Sequence, residues 1–399
     1  MRIFSAVYLA VVLAATVSVM FLSAKWATSV PEVSCFVLAA VWGIGFIISS
    51  IRGGSLKPVF SVALAPLAGV VLWALLQLLL GTTVYAWPTR MAALYWAGNL
   101  AAFFCALQAF DDADVRDRFL RYLVFFGAVV AAFSCVQAFL SLGKIYWKFI
   151  PDYPQDVIFG PFVYRNQFAA FIEIILPLAL YYGITSRTKK LLYLVPAAVL
   201  YGAVIASASR AGFILATVEL GAVPLLAARR HRFSKSQKIN GALALVAMLV
   251  WMAVPVGPGT LIDRLEKADP FQARREFNES TVRMVRDRPL IGFGLGTWST
   301  VYPGYATFDD GKFANQAHDD WAQWAAEGGI PLFLLMLGLA VWAAGRGLQT
   351  GWGIGLPVIF LHCVVDYPIQ RPGVSILFFI VMAAAAGVSR REGRQPESA

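Results

Sequence analysis

Charge is scarce in this 399-residue chain: Asp, Glu, Lys and Arg together make up 14% of it, against about 25% in an ordinary soluble domain. With 59% hydrophobic residues beside so few charges, too little polar surface remains to cover a water-soluble fold, and that class is excluded. Histidine occurs three times and cysteine four times. Cys35, Cys105, Cys135 and Cys363 all fall inside apolar runs without metal-ligand spacing, so neither a disulfide framework nor a zinc site is expected. No repeat with a period of about 20–50 residues is visible. Low-complexity sequence is limited to the polar ending REGRQPESA. The net charge of +10 does not gather on one basic face but is scattered over short loops, so nucleic acid is not an expected partner.

What the chain does have is apolar length. Runs of about 16–24 residues, enough to cross a hydrocarbon layer of roughly 30 Å, recur near 4–22, 33–51, 58–80, 91–110, 119–142, 166–184, 190–208, 211–228, 239–256, 328–345, 353–370 and 373–388. An all-α, polytopic membrane protein of about 12 transmembrane helices is therefore predicted. The first run resembles a secretory signal but is long for one, and it is read as an uncleaved first helix. The chain divides into 1–256 with helices 1–9, an extramembrane segment 257–327, 328–388 with helices 10–12, and a tail 389–399 expected to be disordered.

Orientation follows from the positive-inside rule. Alternate short loops hold Arg52 and Lys57; Arg116, Arg118 and Arg121; Arg187, Lys189 and Lys190; Arg229, Arg230, Arg232, Lys235 and Lys238; and Arg390, Arg391 and Arg394. Both termini are thus expected in the cytoplasm, and the 257–327 loop on the opposite side, which for a bacterial inner membrane is the periplasm. Within that loop, PFQARREFNESTVRMVRDRP reads as a helix bounded by Pro270 and Pro289, and GFGLGTW as a tight turn.

Cations on the outer face are the more informative, since topology does not require them. Arg165, Arg210 and Arg371 each fall at a helix end there. An arginine so placed suits a phosphate, because its planar fork pairs with two oxygens and keeps its charge. The alternative is an arginine that snorkels to headgroups or pairs with an acid such as Asp366. Arg210 is the best fixed, since SASRAGF joins two helices through almost no loop. Ser207 and Ser209 beside it can donate to the same anion or simply pack.

His318 is the one histidine expected on the outer surface near the membrane, with Asp319, Asp320 and Glu327 close in sequence. A neutral imidazole there can take a proton from a hydroxyl. It can equally be a helix-start residue beside acids that complement the helix dipole. His231 lies in a basic loop, and His362 precedes Asp366 by four residues, a spacing at which the two can pair on one helix face. The loop helix carries Arg274, Arg275, Arg283, Arg286 and Arg288 among Glu276, Glu279 and Asp287, a pattern that also suits a plain solvated face.

Taken together, residues 159–370 resemble the superfamily of O-antigen ligases and O-antigen polymerases, membrane glycosyltransferases acting on lipid-linked glycans. GPFVYRNQFAAFIEIILPLAL resembles its glycine, Asn-x-x-Ala and apolar-helix pattern, with Asn166 at the asparagine. SASRAGF resembles its serine-arginine-glycine junction, and RREFNESTVRMVRDRPLIGFGLG its loop helix and Pro-Leu-x-Gly-x-Gly turn. AHDDWAQWAAEGG is similar to its His-Asn-x-x-Leu…Glu-x-Gly stretch, and HCVVDYPIQRP to a later helix signature with His362 and Asp366. Spacing places the family's leading arginine at Arg274, with Arg275 as competitor. The chain has Asn278 where the family often has tryptophan, and Asp319 where it often has asparagine.

The resemblance implies a glycosyltransferase without metal or cofactor that works at the periplasmic face on an undecaprenyl-diphosphate-linked glycan. Arg210 with Arg274 or Arg275 would hold the diphosphate, and His318 would assist the acceptor hydroxyl. Arg165, Asn166, Ser209, Asp319, Glu327 and Asp366 would support the site. The acceptor is lipid A core in a ligase, a growing glycan in a polymerase, or a side-chain hydroxyl in a protein O-oligosaccharyltransferase. A transporter of lipid-linked sugars is the rival from another class, and it would favour charges at mid-membrane and inverted repeats.

Overall fold

Backbone amides in lipid have only one another to bond, so apolar runs of this length coil into helices. The computed structural model describes residues 1–22, 24–151, 158–186, 188–231, 272–307, 311 and 313–387. The helix expected at 239–256, the start of the long loop and the tail lie outside the described residues. Among those described there is no β-strand; the elements are α1 (Arg2–Ser18), α2 (Lys25–Ile51), α3 (Leu64–Leu79), α4 (Ala86–Ala109), α5 (Ala113–Leu140), α6 (Arg165–Thr185), α7 (Lys190–Ser207) and α8 (Arg210–Arg230), followed by α9 (Gln272–Asp287), α10 (Trp298–Val301), α11 (Asp320–Thr350), α12 (Gly355–His362) and α13 (Pro372–Ala386). Of these, α2, α4, α5, α6, α7, α8 and α11 are long and apolar enough to cross a membrane, and α1, α3, α12 and α13 are shorter apolar helices.

Two helices form the interior. Every residue of α13 from Gly373 to Ala386 is buried, and α6 is buried from Gln167 to Leu180. Both are apolar on nearly every side, as befits a helix surrounded by protein, with Gln167 and Glu173 of α6 and Ser375 of α13 as buried polar exceptions. Helices at the periphery turn apolar residues outward: Val33, Val37, Val41, Ile44, Ile47 and Ile51 of α2 are all exposed. In water such a stripe would be a liability, whereas against lipid it is the solvated face. Small residues let the partners of α6 approach closely. A Cβ at Gly212 of α8 would stand 2.4 Å from the Ala169 Cβ, and one at Gly355 of α12 would stand 2.4 Å from the Glu173 carbonyl oxygen.

Two predicted helices are revised. The one expected from 328 starts at Asp320, capped by Asp319, and breaks at Gly329, whose φ of 67° and ψ of −169° are non-helical. Glycine is needed there, because a Cβ would lie 2.5 Å from the Leu290 carbonyl oxygen. The one expected over 353–370 stops at His362. Pro368 lacks an N–H and disfavours helical backbone at the residue before it, so Asp366 and Tyr367 sit in a turn ahead of a short 3₁₀ segment, Pro368–Gln370.

Candidate functional site

The turn after α12 is where the distant motifs meet. Asp366 is buried, and its Oδ2 accepts from Asn166 Nδ2 on the first turn of α6. It also accepts from Arg274 Nη2 of α9 at 3.3 Å. Arg274 Nη1 donates to the Val365 carbonyl at 2.7 Å, so one guanidinium grips both the carboxylate and the backbone beside it. The other carboxylate oxygen accepts from the Tyr367 amide at 2.9 Å and lies 3.5 Å from His318 Nδ1. The last contact is within ion-pair range without being a formed hydrogen bond. Burial alone would push the Asp366 carboxyl up. His318, Arg274 and His362 outweigh it and hold the group well below the usual carboxylate range.

Asn166 carries the network onward. Its Oδ1 accepts from Ser209 Oγ at 2.8 Å, and that Oγ in turn caps α8 by accepting from the Gly212 amide at 3.2 Å. Ala208, just before, takes the left-handed conformation with φ 50°, which turns the chain from α7 into α8 without a loop. The corner places Arg210 on the first turn of α8. Asp320 starts α11 at the same place: its amide donates to the carbonyls of Cys363 at 2.8 Å and Asp366 at 3.3 Å, and its Oδ1 accepts from Gln370 Nε2 at 2.6 Å. The N-termini of α6, α8, α11 and α13 therefore converge on one turn, and their positive dipole ends add to the arginines.

His318 is held by its neighbours on both sides. Its ring stacks at 10° on Phe277, with centroids 6.0 Å apart, and meets Tyr367 edge-on at 4.8 Å. Its backbone is left-handed, φ 58°, a conformation that costs energy outside glycine and clusters at functional sites. His318 and Arg274 each leave 27% of the side chain exposed, so both reach the surface of the cluster while Asp366 does not.

The loop helix α9 is anchored through its own buried acid. Glu276 accepts from Tyr302 Oη, from Ser280 Oγ at 2.8 Å and from the Thr307 amide at 2.9 Å. Burial opposes its charge, and these donors overcome that and lower its pKa. Glu327 lies in a neighbouring knot. Its Oε2 accepts from the Gly296 amide at 2.9 Å and its Oε1 from the Trp298 amide at 3.1 Å, while Gln77 of α3 bonds the carbonyls of Ile291 and Glu327 at 2.7 and 2.9 Å. The glycine turn after α9 is thereby clamped to the kink of α11.

Of the residues singled out in the sequence, Asn166, Ser209, Arg274, His318 and Asp366 thus form one connected cluster, with Arg210 beside it. Asp319 caps α11, its Oδ1 accepting from the Ala322 amide at 3.0 Å, and Arg165 begins α6 one residue before Asn166. Glu327 is engaged by the glycine turn. Arg275, next to Arg274, is exposed.

The His362–Asp366 side-chain pair that the spacing allows does not form. His362 Nδ1 instead meets Glu173 of α6 at 3.0 and 2.9 Å, with both side chains fully buried. The helix ends at His362, so the spacing that would align it with Asp366 is lost. Glu173, Tyr367 and Phe277 went unnoticed in the sequence, although an acid inside the apolar run 166–184 is itself a signal. Among the described residues, no three His, Cys, Asp or Glu side chains are grouped to hold a metal.

A comparison with curated proteins found no match. The stretch from α7 to the apolar part of α11 contains Arg210, Arg274, Arg275, His318 and Glu327, and leaves out Arg165, Asn166, Asp366 and Arg371. That stretch, residues 192–337, matches the family model described as O-antigen ligase, which supports the O-antigen ligase superfamily for this multi-pass, all-helical chain.

Proposed function

We propose that this chain is a membrane glycosyltransferase that moves a glycan from an undecaprenyl-diphosphate-linked donor to an acceptor hydroxyl. The observation that carries the reading is the meeting of Arg274 and His318 on Asp366, with Arg210 on the first turn of α8 beside Ser209 of the same hydrogen-bond network. Cations gathered at one place suit a polyanionic ligand.

In this reading the donor enters laterally between helices at the periplasmic face, with both termini of the chain in the cytoplasm. Arg210 and Arg274 hold its phosphates. The acceptor oxygen attacks the anomeric carbon of the glycan and the bond from that carbon to the diphosphate oxygen breaks. The proton of the hydroxyl passes to His318, and the lipid diphosphate leaves with one more negative charge than it had in ester linkage. Guanidiniums fixed beside the leaving group stabilise that charge as it develops. With Nδ1 turned to Asp366, Nε2 is the nitrogen that faces the acceptor, and Asp366 both orients the ring and steadies the imidazolium. No step is routed through a metal or cofactor.

Lipid A core, a growing glycan and a protein hydroxyl can all use this centre, and they differ only in what occupies the acceptor side. The test is incubation of the purified protein in detergent with a lipid-diphosphate glycan and each acceptor class, followed by product mass. A mass gain on one class identifies it. Absence of transfer to any of them, with movement of intact lipid-linked glycan across reconstituted vesicles, would assign the chain to transport instead.

A further inference from the structure

Arg371 falls outside both the matched stretch and the cluster around Asp366, yet it lies next to them. It is the N-cap residue of α13, five positions after Asp366. Its guanidinium sits 4.9 Å from the Tyr367 ring and 5.9 Å from the ring of Tyr164, the residue that precedes α6. Nη2 donates to Tyr367 Oη at 3.0 Å. The same Tyr367 ring is the one that meets His318 edge-on at 4.8 Å, so a single aromatic ring separates Arg371 from the imidazole.

Two features show what this guanidinium lacks. Nε is buried and has no hydrogen-bond partner, and a buried donor without an acceptor costs free energy that a ligand oxygen would recover. No carboxylate of the described residues forms an ion pair with Arg371, and Asp366, the acid nearest in sequence, is taken by Arg274 and His318. An aromatic stack fixes the plane of an arginine and leaves its charge unneutralised. A structural arginine near a membrane would be expected to have an acid or a set of carbonyls around it.

We propose that Arg371 is a third guanidinium of the donor site and binds a phosphate oxygen of the lipid diphosphate on the side of Tyr367. This inference rests on the reading of the chain as a lipid-diphosphate glycosyltransferase. Arg274 divides its donors between Asp366 and the Val365 carbonyl, so part of its capacity is already used, and Arg371 supplies what the phosphates still need. The start of α13, capped at Arg371 with Pro372 at its first position, points its dipole at the same oxygen.

The experiment measures binding of farnesyl diphosphate and farnesyl monophosphate to the purified full chain in detergent, for the wild type, Arg371→Met, Arg371→Lys, Arg210→Met and Arg274→Met, with thermal unfolding of each as control. Arg371→Met is expected to weaken farnesyl diphosphate about tenfold or more, the loss of one hydrogen bond to a charged group. The monophosphate should be affected less, and Arg371→Lys should recover part of the loss. In transfer assays the same variant should raise KM for the donor more than it lowers kcat. Arg371→Met binding diphosphate like wild type, while Arg210→Met and Arg274→Met are impaired, would overturn this assignment and leave the donor reading intact. Wild-type binding in all three would overturn the donor reading itself. Should Arg371→Met fail to fold, Arg371→Lys decides: it keeps the charge but not the fork, and unchanged diphosphate affinity in it removes Arg371 from the site.

Discussion

His318 Nδ1 lies 3.5 Å from Asp366 Oδ1, although the two residues stand 48 positions apart and belong to different turns. In the proposed mechanism the carboxylate orients the imidazole, which leads to distinct expectations for each residue. His318→Ala should lower transfer about 10²–10⁴-fold, the range for loss of a positioned acid–base group. Donor binding should stay close to wild type, because the arginines remain. Transfer at the wild-type rate in a folded variant would remove His318 from the chemistry.

Asp366 also gives a pH signature. Its folded pKa is depressed below the unfolded value of about 3.9. Such a carboxylate contributes stability that is fully present above the unfolded pKa and is lost as pH falls through the folded value. The unfolding temperature in detergent should therefore drop on acidification below about pH 4, and Asp366→Asn should flatten that part of the profile. An identical acid slope in the variant would show that other groups carry it.

The fully buried pair Glu173–His362 joins α6 to α12 beneath the site. Replacing one partner leaves the other's buried polar group unsatisfied, at a cost of about 1–3 kcal/mol, or about 3–5 kcal/mol for an ionised pair. Glu173→Leu and His362→Leu should each lower the unfolding temperature sharply, and the double variant should be more stable than the sum of the singles implies. Strictly additive losses in the cycle would mean that the two side chains are not coupled.

Glu327 predicts a local effect. Its carboxylate holds the amides of Gly296 and Trp298, so Glu327→Ala leaves two backbone donors without an acceptor, at about 1–3 kcal/mol each where they are buried. Limited proteolysis should cut the 290–300 segment faster in the variant. Equal cutting rates would place the strength of that clamp in Gln77 instead.

The sequence legible without coordinates included the apolar helices, the loop helix up to Pro289 and the residue types suited to a phosphate. Those readings depend on local periodicity, run length and side-chain chemistry, which one stretch of chain carries by itself. Gly329 and Pro368 escaped because a kink or an early helix stop depends on what packs against it: the Leu290 carbonyl leaves no room for a Cβ at Gly329, and the turn at Pro368 is where α11 begins its contacts. For the same reason it took the fold to show that Arg274 reaches Asp366 while Arg275 is exposed, and that His362 meets Glu173 instead of Asp366.

By itself, then, the sequence determined the solvent this chain lives in, through apolar runs too long and too poor in charge for water, and it supplied an inventory of arginines, a histidine and acids. Tertiary structure alone decided which of them meet. Four helix N-termini, separated by up to about 200 positions in the chain, come together only when α6 and α13 are buried, and a hydrogen bond or an ion pair exists only within a few ångströms.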